Sequence, residues 1–519
     1  MIGSMTSQVE RQSTKMYALL LAKMAEDREE MERALAERLP QWLATRDAEQ
    51  MMAMEREIHE KYRAGADAVV AEIMGSIVHD EDFQRQTAKA LGEGEQRYKG
   101  GDKREVEVTL LGGTKIRVRV PYKRPDISKR PGRKRAVGRR GKGGAGLYPV
   151  LAALGIWFGV TPAVASAVCK QVSASESVRA GRRALAERHL DLGHKQTLRL
   201  VDKVGQRMLA QRQQWQKQVS EAPPQSGPLV GKRVVVAVDG GRLRERVSSG
   251  RGRRRAATGH RRYDTPWREP KLLVIHVVDE QGELDESFRA VHDGTLGDCN
   301  ALWDMLVAYL QALGAAGAKE LIVVGDGACW IWERIGALTE RLGLEPQRCR
   351  EVIDWSHAVS KLHKIADEVK AWSSAQRQEW IKTAKDLLWN GRSDELLAHI
   401  DQLAVGRRAK AIRSQRKYFQ RNAARMQYKM FDAAGVPTGS GAVESAVRCI
   451  INQRLKGCGK FWKEQSAESM LLLRSYLHTE RFDDLFAWSL AQATPWWRHD
   501  TLYALSPVVP SPPATVASS

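Results

Sequence analysis

Along residues 8–92 apolar side chains recur every three to four positions, as at Leu21, Met24 and Ala25. This spacing is typical of one face of an α-helix, so residues 1–98 are predicted to form a helical N-terminal region. The pattern then becomes an alternation of apolar and polar residues on either side of Gly112-Gly113. Alternation around a glycine pair predicts a β-hairpin.

Residues 146–221 return to a helical pattern, and the stretches 161–175 and 177–190 are compatible with a helix-turn-helix unit. Gly143 to Cys169 carries no charged side chain, which imitates a membrane span, but Pro149 and Pro162 interrupt it. A pair of short buried helices is therefore expected, because proline favours the first turn of a helix and disrupts its interior. The Pro-rich residues 222–228 are predicted to be a linker.

After this linker the chain alternates β-branched runs with helical segments. Strands are predicted at residues 234–238, 272–278, 286–292, 321–324 and 352–353, with a helix at 302–313. This order predicts an α/β fold with a mixed sheet flanked by helices. The predicted domains are a helical region (1–98), a hairpin and basic arm (99–145), helices (146–221), a core in two parts (230–370 and 436–500), a helical insertion (371–435) and a disordered tail (501–519).

Composition adds a partner to this picture. Of 519 residues, 83 are Lys or Arg and 62 are Asp or Glu, which gives a formal net charge of +21. Such a surplus attracts polyanions, so DNA is the expected partner and an anionic membrane surface the weaker alternative. The six cysteines include no CxxC pair, which argues against a zinc knuckle or a redox motif. Residues 1–10 lack the apolar stretch of a signal peptide, so a cytoplasmic, nucleoid-associated location is expected.

Three basic segments are candidate DNA contacts: the run 123–142, the loop after residue 241, and the insertion, where Tyr418 and Phe419 lie among cations. Cations interleaved with aromatic rings suit phosphate contact and base stacking, although each segment is also compatible with a solvated surface. The predicted DNA-binding residues are Lys123, Arg124, Lys129, Arg130, Arg133, Lys134, Arg135, Arg139, Arg140, Arg253, Arg254, Arg255, Arg413, Arg416, Lys417, Tyr418 and Arg421.

Candidate chemistry lies where two predicted strands end in a carboxylate beside glycine. Asp239 precedes Gly240-Gly241, and Asp326 lies between two glycines. Glu444 follows Gly-Ser-Gly and opens the predicted helix 442–455. Each residue alone is equally typical of a turn or of a helix terminus, but together they predict a catalytic set. Three converging carboxylates repel one another unless a cation such as Mg²⁺ neutralises them.

The blocks around these three residues resemble bacterial insertion-sequence transposases of the ISKra and ISLre type, which are distant relatives of Mutator-like elements. The blocks are Val238-Asp239-Gly240, Gly325 to Ile331, and Gly439 to Ser445. The resemblance covers roughly residues 230–480. It implies a ribonuclease-H-like core in which Asp239, Asp326 and Glu444 hold two Mg²⁺ ions, with Mn²⁺ as a substitute. It also implies DNA cleavage at element ends, transfer of a 3′-hydroxyl into target DNA, and a homodimer or larger synaptic assembly.

Two further blocks resemble the same family. The segment Asp354-Trp355-Ser356-His357 resembles the Asp/Cys-x-x-His signature of the Mutator-like group, and Asn452 to Gly457 resembles the segment after the catalytic Glu. The residues that this implies for substrate positioning are Asp354, His357, Arg454 and Lys456. His357 is equally compatible with a satisfied histidine at a helix start. A nuclease or resolvase that cuts without joining, and a non-catalytic DNA-binding protein, are the alternative functions.

Overall fold

The computed structural model describes residue 18 and residues 21–92, 98–125, 146–223, 226–248 and 263–491. The chain divides into two compact units, with the division between Val204 and Gly205. The first unit holds the described residues up to Val204 and those from Trp488 onward, and the second holds Gly205 to Ala487. Each unit is described by itself.

The first unit is mainly helical around a β-hairpin. Its helices are α1 (21–36), α2 (Leu39–Leu43), α3 (Ala48–His79), α4 (Glu81–Gly92), α5 (Pro149–Ala153), α6 (Pro162–Ala174), α7 (Val178–Ala186) and the start of α8 (His194–Glu221). Its strands are β1 (Tyr98–Lys99), β2 (Lys103–Thr109), β3 (Lys115–Pro121) and β4 (Arg124–Pro125). Strands β2 and β3 pair antiparallel from Lys103–Pro121 to Thr109–Lys115, which confirms the predicted hairpin.

The hairpin turn is held by a buried carboxylate on α3. Asp67, which is 4% exposed, accepts hydrogen bonds from the backbone N–H groups of Gly112 and Thr114, both at 2.9 Å. The apolar faces of β2 and β3 pack with α3 and α5 in one core cluster. A buried carboxylate that accepts two N–H bonds fixes both the turn and its register against the helix.

Local sequence explains the helices of residues 149–186. At the start of α6 the Thr161 hydroxyl accepts a hydrogen bond from Val164 N at 3.4 Å, and Pro162 occupies the first turn. At the start of α7 Ser177 accepts one from Ala180 N at 3.0 Å. These caps satisfy N–H groups that the helix cannot satisfy itself. Within the described ranges, no helix is both long and apolar enough to cross a bilayer.

The second unit contains a five-stranded mixed sheet. Its strands are β5 (Arg233–Gly240), β10 (Lys271–Val278), β11 (Val291–Thr295), β12 (Glu320–Gly325) and β13 (Cys349–Ile353), in the order β11-β10-β5-β12-β13. Strand β10 runs antiparallel to β5 and β11, whereas β12 runs parallel to β5 and β13. Residues 234–238 are buried without alternation, because a central strand covered on both faces has no polar side.

Helices flank this sheet, with α9 packed on β10 and β11, α17 on β5 and β10, and α18 on β11. The helices of the unit are α9 (Cys299–Ala312), α10 (Cys329–Trp332), α11 (Ile335–Leu342), α12 (Trp355–Asp367), α13 (Ser374–Trp389), α14 (Ser393–Asp401), α15 (Ala409–Asn422), α16 (Tyr428–Ala433), α17 (Gly441–Ala446), α18 (Glu464–His478) and α19 (Phe482–Ala491). A π-helix, Val447–Asn452, continues α17. Two-residue strands β6 (Leu243–Arg244), β7 (Val247–Ser248), β8 (Tyr263–Asp264) and β9 (Trp267–Arg268) follow β5 and precede β10.

A buried ionic network joins α8 to the sheet. The Arg212 guanidinium donates to Asp293 Oδ1 at 2.7 Å, to Glu468 Oε1 at 3.0 Å and to the Gly294 carbonyl at 3.0 Å. The Tyr309 hydroxyl donates to the other Asp293 oxygen at 2.8 Å. Arg212 and Asp293 are 5% and 0% exposed, so their charges are compensated by each other and not by water.

Two histidines in the sheet make the fold sensitive to acid. Burial lowers the pKa of His276 to about 4, and burial together with the neighbouring His478 and Arg481 lowers the pKa of His292 to about 3. The unfolded chain binds these protons below about pH 6.5, whereas the folded chain does not. The unfolding free energy should therefore fall by about 1.4 kcal/mol per pH unit for each histidine, from about pH 6.5 down to about pH 4 for His276 and about pH 3 for His292.

Urea unfolding at pH values between about 7 and about 4 checks this expectation. His276→Leu should show a shallower decline than the unsubstituted protein, while the exposed His363→Leu should show the same decline as the unsubstituted protein. Identical slopes for the two variants would mean that His276 is protonated in the folded state at these pH values.

Candidate active site

Two of the predicted carboxylates lie at one edge of the sheet. Strands β5 and β12 are parallel neighbours, and their register ends with Ala237 beside Val324. Asp239 and Asp326 each come two positions later, Asp239 still within β5 and Asp326 directly after the end of β12. Because parallel neighbours end at the same edge, the two side chains are delivered to one place.

Asp239 lies where the backbone is closely packed. Its Oδ1 accepts a hydrogen bond from Gly240 N at 2.7 Å. A Cβ at Gly240 would lie 2.5 Å from Glu269 Oε1, and a Cβ at Gly241 would lie 2.6 Å from Ile451 Cδ1. The glycine pair is therefore required by these two close approaches.

The electrostatics at Asp239 depend on the other candidate residues. Burial raises the pKa of Asp239, and the negative charges of Asp326 and Glu444 raise it further. The Gly240 N–H and His357 act in the opposite direction without cancelling the shift. The charges of Asp326, His357 and Glu444 thus reach Asp239, whereas the residues that bring their donor atoms within reach of one ion in the described ranges are Asp354, His357 and Glu444.

Asp326 is fixed by its own turn and by the helical insertion. Its Oδ1 accepts a hydrogen bond from Ala328 N at 2.9 Å, and its carbonyl accepts one from the Tyr418 hydroxyl at 3.1 Å. Gly327 has a φ of +88°, and a Cβ there would lie 2.5 Å from the Tyr418 ring. The positive φ and the ring together explain why glycine follows Asp326.

Glu444 lies in the first turn of α17 with its side chain 49% exposed. Hydroxyl groups of Ser440 and Ser356 lie 3.2 and 3.4 Å from Oε1, and His357 Nε2 lies 3.6 Å from the same oxygen. One carboxylate oxygen is therefore surrounded by three polar groups from α12 and from the turn before α17. These groups orient the side chain but leave it open to solvent.

Asp354 connects the elements that carry His357 and Glu444. It is 1% exposed and accepts hydrogen bonds from His357 N at 2.7 Å, from the Ser356 hydroxyl and from Ser440 N. Burial acts to raise the pKa of Asp354, but these hydrogen bonds outweigh it and the pKa is lowered. Its oxygens accept these bonds in the α12 cap and in the turn before α17, and its predicted part in substrate positioning stays a prediction. Its role is to position His357 and Ser440.

Asp354, His357 and Glu444 form a possible ligand cluster. One donor atom from each lies within 4.8 Å of the others, which is a spacing that one cation bridges. His357 is 37% exposed, so the side of the cluster formed by His357 and Glu444 is accessible. The backbone N–H of His357 takes part in the α12 cap, whereas its ring lies beside Glu444. This geometry is compatible with the hypothesis that the His357 ring positions substrate.

The other two predicted positioning residues differ from each other. Arg454 is 4% exposed, and its guanidinium lies 5.1 Å from the centre of the Trp462 ring. Burial lowers the pKa of Arg454 to about 10, as does the nearby Arg474. Arg454 is therefore buried against Trp462, and its predicted part in substrate positioning stays a prediction. Lys456 is exposed, and its contact with substrate stays a prediction.

In the helical insertion the cationic side chains are exposed to solvent, whereas the two aromatic rings are buried. On α15 Arg413, Lys417 and Arg421 are exposed, while Arg416 pairs with Asp401 at 2.7 Å. Tyr418 and Phe419 are 8% and 2% exposed, so their predicted stacking on DNA bases is wrong. Both rings lie on the apolar face of the helix, where they pack in the interior.

Most of the predicted basic arm lies outside the described residues. Lys123 is described, and its Nζ donates to the Gly100 carbonyl at 2.7 Å. Arg124 belongs to the short strand β4, which pairs with β1. The candidates outside the described ranges are Lys129, Arg130, Arg133, Lys134, Arg135, Arg139, Arg140, Arg253, Arg254 and Arg255.

One cation near the carboxylates was missed in the sequence. Lys361 lies one helical turn after His357, and its Nζ is 5.0 Å from the centre of the Tyr418 ring. Burial and the neighbouring Lys364 lower the pKa of Lys361, while the charge of Asp326 opposes them. The signal was the i, i+4 spacing from His357, which places both side chains on one face of α12.

No family model, no curated protein and no solved structure matches this chain.

Proposed function

We propose that the protein is a DNA transposase of an insertion sequence, which cuts DNA at element ends and joins the 3′-hydroxyl to target DNA. The observation that carries this proposal is the placement of Asp239 and Asp326 at one edge of the sheet, beside the helix α17 whose first turn holds Glu444. Residues separated by 87 and 118 positions in the chain are brought together there. Carboxylates that serve only the fold gain nothing from lying close together, because their negative charges repel one another.

The proposal extends to a ribonuclease-H-like core. Three antiparallel strands followed by two parallel ones, with helices between them, are the order of elements that the resemblance implies. Asp239 lies at the end of the first strand, Asp326 directly follows the fourth, and Glu444 lies in the first turn of α17, which packs on β5 and β10. The helical insertion between β13 and α17 then supplies Tyr418 to hold the Asp326 turn.

The donor set fits hard divalent cations, and we propose Mg²⁺, with Mn²⁺ as a substitute. Asp239, Asp326 and Glu444 offer carboxylate oxygens, which Mg²⁺ prefers. Burial, and after it the charges of Asp326 and Glu444, raise the pKa of Asp239, which a bound cation would counteract. When bound, two such ions would lower the pKa of the attacking hydroxyl and stabilise the leaving oxygen.

The chain's own residues orient these groups. The Ser440 hydroxyl donates to one oxygen of Glu444, and Asp354 accepts hydrogen bonds from the Ser440 backbone N–H and the Ser356 hydroxyl. Lys361 supplies a positive charge close to Asp326, where it can attract a DNA phosphate. His357 lies one helical turn before this lysine on α12, and its Nε2 is 3.6 Å from Glu444 Oε1. In the proposed complex it would donate a hydrogen bond to a phosphate oxygen.

DNA binding and assembly belong to the same proposal. A net charge of +21 favours a polyanionic partner, and the exposed cations of α15 lie on the helix that holds the Asp326 turn. Since two element ends must be held during joining, we propose a homodimer or a larger synaptic assembly. A cytoplasmic, nucleoid-associated location follows from the proposed DNA substrate.

A strand-transfer assay tests the proposed activity. The full chain is incubated with Mg²⁺, a labelled duplex that carries the inverted-repeat sequence flanking its gene, and a supercoiled target plasmid. Labelled DNA joined to the plasmid is the expected product. Cleavage without joined product would indicate a nuclease or resolvase, and binding without any metal-dependent cleavage would indicate a non-catalytic DNA-binding protein.

A further inference from the structure

The antiparallel pairing between β5 and β10 continues beyond the five-stranded sheet. It continues past Asp239 in one unbroken antiparallel register, from Gly240 opposite Lys271 through Leu243 opposite Arg268 to Val247 opposite Asp264. Backbone hydrogen bonds from Gly241 to Pro270 at 2.8 Å and from Glu245 to Pro266 at 2.9 Å fill the gaps. We call the paired residues 241–248 and 263–270 the ribbon.

The ribbon is braced along one strand by the segment after the π-helix. Trp462 N donates to the Arg244 carbonyl at 3.0 Å, and Arg246 N donates to the Trp462 carbonyl at 2.7 Å. The side chain of Arg268 pairs with Glu245 at 3.3 Å and with Glu464 at 3.5 Å. An isolated two-stranded ribbon is marginally stable in water, so this third partner is what gives the ribbon a defined position.

Two aromatic rings on the ribbon are exposed, and each carries an arginine. Trp267 is 52% exposed, and the guanidinium of Arg244, directly opposite in the register, lies 4.9 Å from its ring centre. Tyr263 is 39% exposed, and the guanidinium of Arg246 lies 4.2 Å from its ring centre. Each arginine is also exposed, so each pair offers a ring and a positive charge to solvent.

We infer that these two pairs form a stacking site for unpaired nucleotides of the DNA strand that leaves the cleavage site. Exposed rings beside cations are the elements of single-strand binding, in which bases stack on the rings and arginines contact the backbone. The inference rests on the proposed function for its substrate, because the ribbon begins two residues after Asp239. It replaces the buried Tyr418 and Phe419 as the source of stacking rings.

The charge pattern favours nucleotides over an apolar protein partner. An apolar protein partner would be expected to contact a contiguous apolar patch. In the ribbon, Arg246 lies between the positions opposite Trp267 and Tyr263, so the two rings do not form such a patch. Glu245, a carboxylate within the ribbon, is already paired with Arg268. The ribbon also contains Asp264 and Glu269, but among the described residues no ion pair joins Arg244 or Arg246 to a carboxylate, so both cations are available for phosphate.

The test measures binding of the full-length protein to a short labelled oligothymidylate and to a duplex of equal length. Trp267→Ala and Tyr263→Ala should each weaken single-strand binding by roughly 5- to 150-fold, which corresponds to ~1–3 kcal/mol per stacked base. Duplex binding should change less than about two-fold, since paired bases are not available for stacking. Trp267→Phe and Tyr263→Phe should retain most of the single-strand affinity. Tyr62→Ala, which removes a 53% exposed ring from α3, is the matched control.

Several outcomes would overturn the inference. Equal losses on both probes would assign the ribbon to backbone contact alone, and unchanged single-strand affinity would remove it from the DNA site. A change in oligomeric state without a change in affinity would assign the rings to protein contact. The carboxylate variants separate this inference from the proposed function. If Asp239→Asn cleaves normally while the ring variants lose single-strand binding, the catalytic proposal fails and the ribbon inference stands.

Discussion

Asp239→Asn, Asp326→Asn and Glu444→Gln should each reduce Mg²⁺-dependent DNA cleavage by roughly 10³-fold or more. Each change keeps the shape of the side chain but removes a charge from the proposed cation site, and several kcal/mol of transition-state stabilisation are lost with it. The measurement is the initial rate of cleavage of a labelled element end at saturating protein. DNA affinity should stay within about two-fold, because the basic surfaces are untouched.

Asp304→Asn is the matched control, since this aspartate is 69% exposed and pairs with Arg341 on the surface. A second readout does not depend on activity. Mg²⁺ should raise the unfolding temperature of the unsubstituted protein, because a ligand that binds only the folded state stabilises it. The three variants should lose most of that increase. Full cleavage by any one variant would remove its residue from the site.

Arg212→Met should lower the unfolding free energy of the second unit by about 3–5 kcal/mol, which is the cost of leaving a buried ionic partner uncompensated. The guanidinium compensates Asp293, whose side chain is 0% exposed, as well as Glu468. Methionine matches much of the volume but provides no donor. Urea unfolding followed by tryptophan fluorescence measures the effect.

Arg341→Met provides the comparison for this change. Arg341 pairs with Asp304 at 2.9 Å, but the two side chains are 43% and 69% exposed. A surface pair of this kind contributes about 0–1 kcal/mol. If both methionine variants lost the same small amount of stability, the network around Asp293 would contribute no more than a surface ion pair.

The strands were largely predictable because buried β-branched runs have few alternative structures. The run 234–238 became β5 and the run 272–278 became most of β10. The third strand was misplaced: residues 286–292 were predicted, whereas β11 is Val291–Thr295. Asp285 accepts hydrogen bonds from the backbone and the hydroxyl of Ser287, so a turn occupies the start of the predicted segment. Such side-chain turns compete with strands and are weakly marked in sequence.

The sequence predicted only those parts of the site that follow from neighbouring residues in the chain. Asp239 and Asp326 follow strands, and strand direction brings their side chains together. Asp354 caps α12 through the nearby His357 N–H, but its second bond, from the Ser440 N–H, joins it to a residue 86 positions away, which local pattern does not reveal. Tyr418 and Phe419 were assigned to DNA contact because Arg and Lys residues surround them in the sequence, which suggested a surface of alternating cations and rings. The helical period instead groups Ile412, Phe419 and Asn422 on the buried face of α15.

The hydrogen bond between Ser440 and Asp354 also determines when the site forms during protein synthesis. Asp239 and Glu444 are separated by 205 positions, and Glu444 is held by the turn that this bond anchors. At the usual rate of ~5–20 residues per second, roughly 10 to 40 seconds pass between the synthesis of the first carboxylate and the last. A nascent chain therefore carries its exposed arginines well before its complete catalytic set. Under the proposed function, a chain that ends before Glu444 would carry the exposed arginines of α15 without the third carboxylate, and it would bind DNA without cutting it.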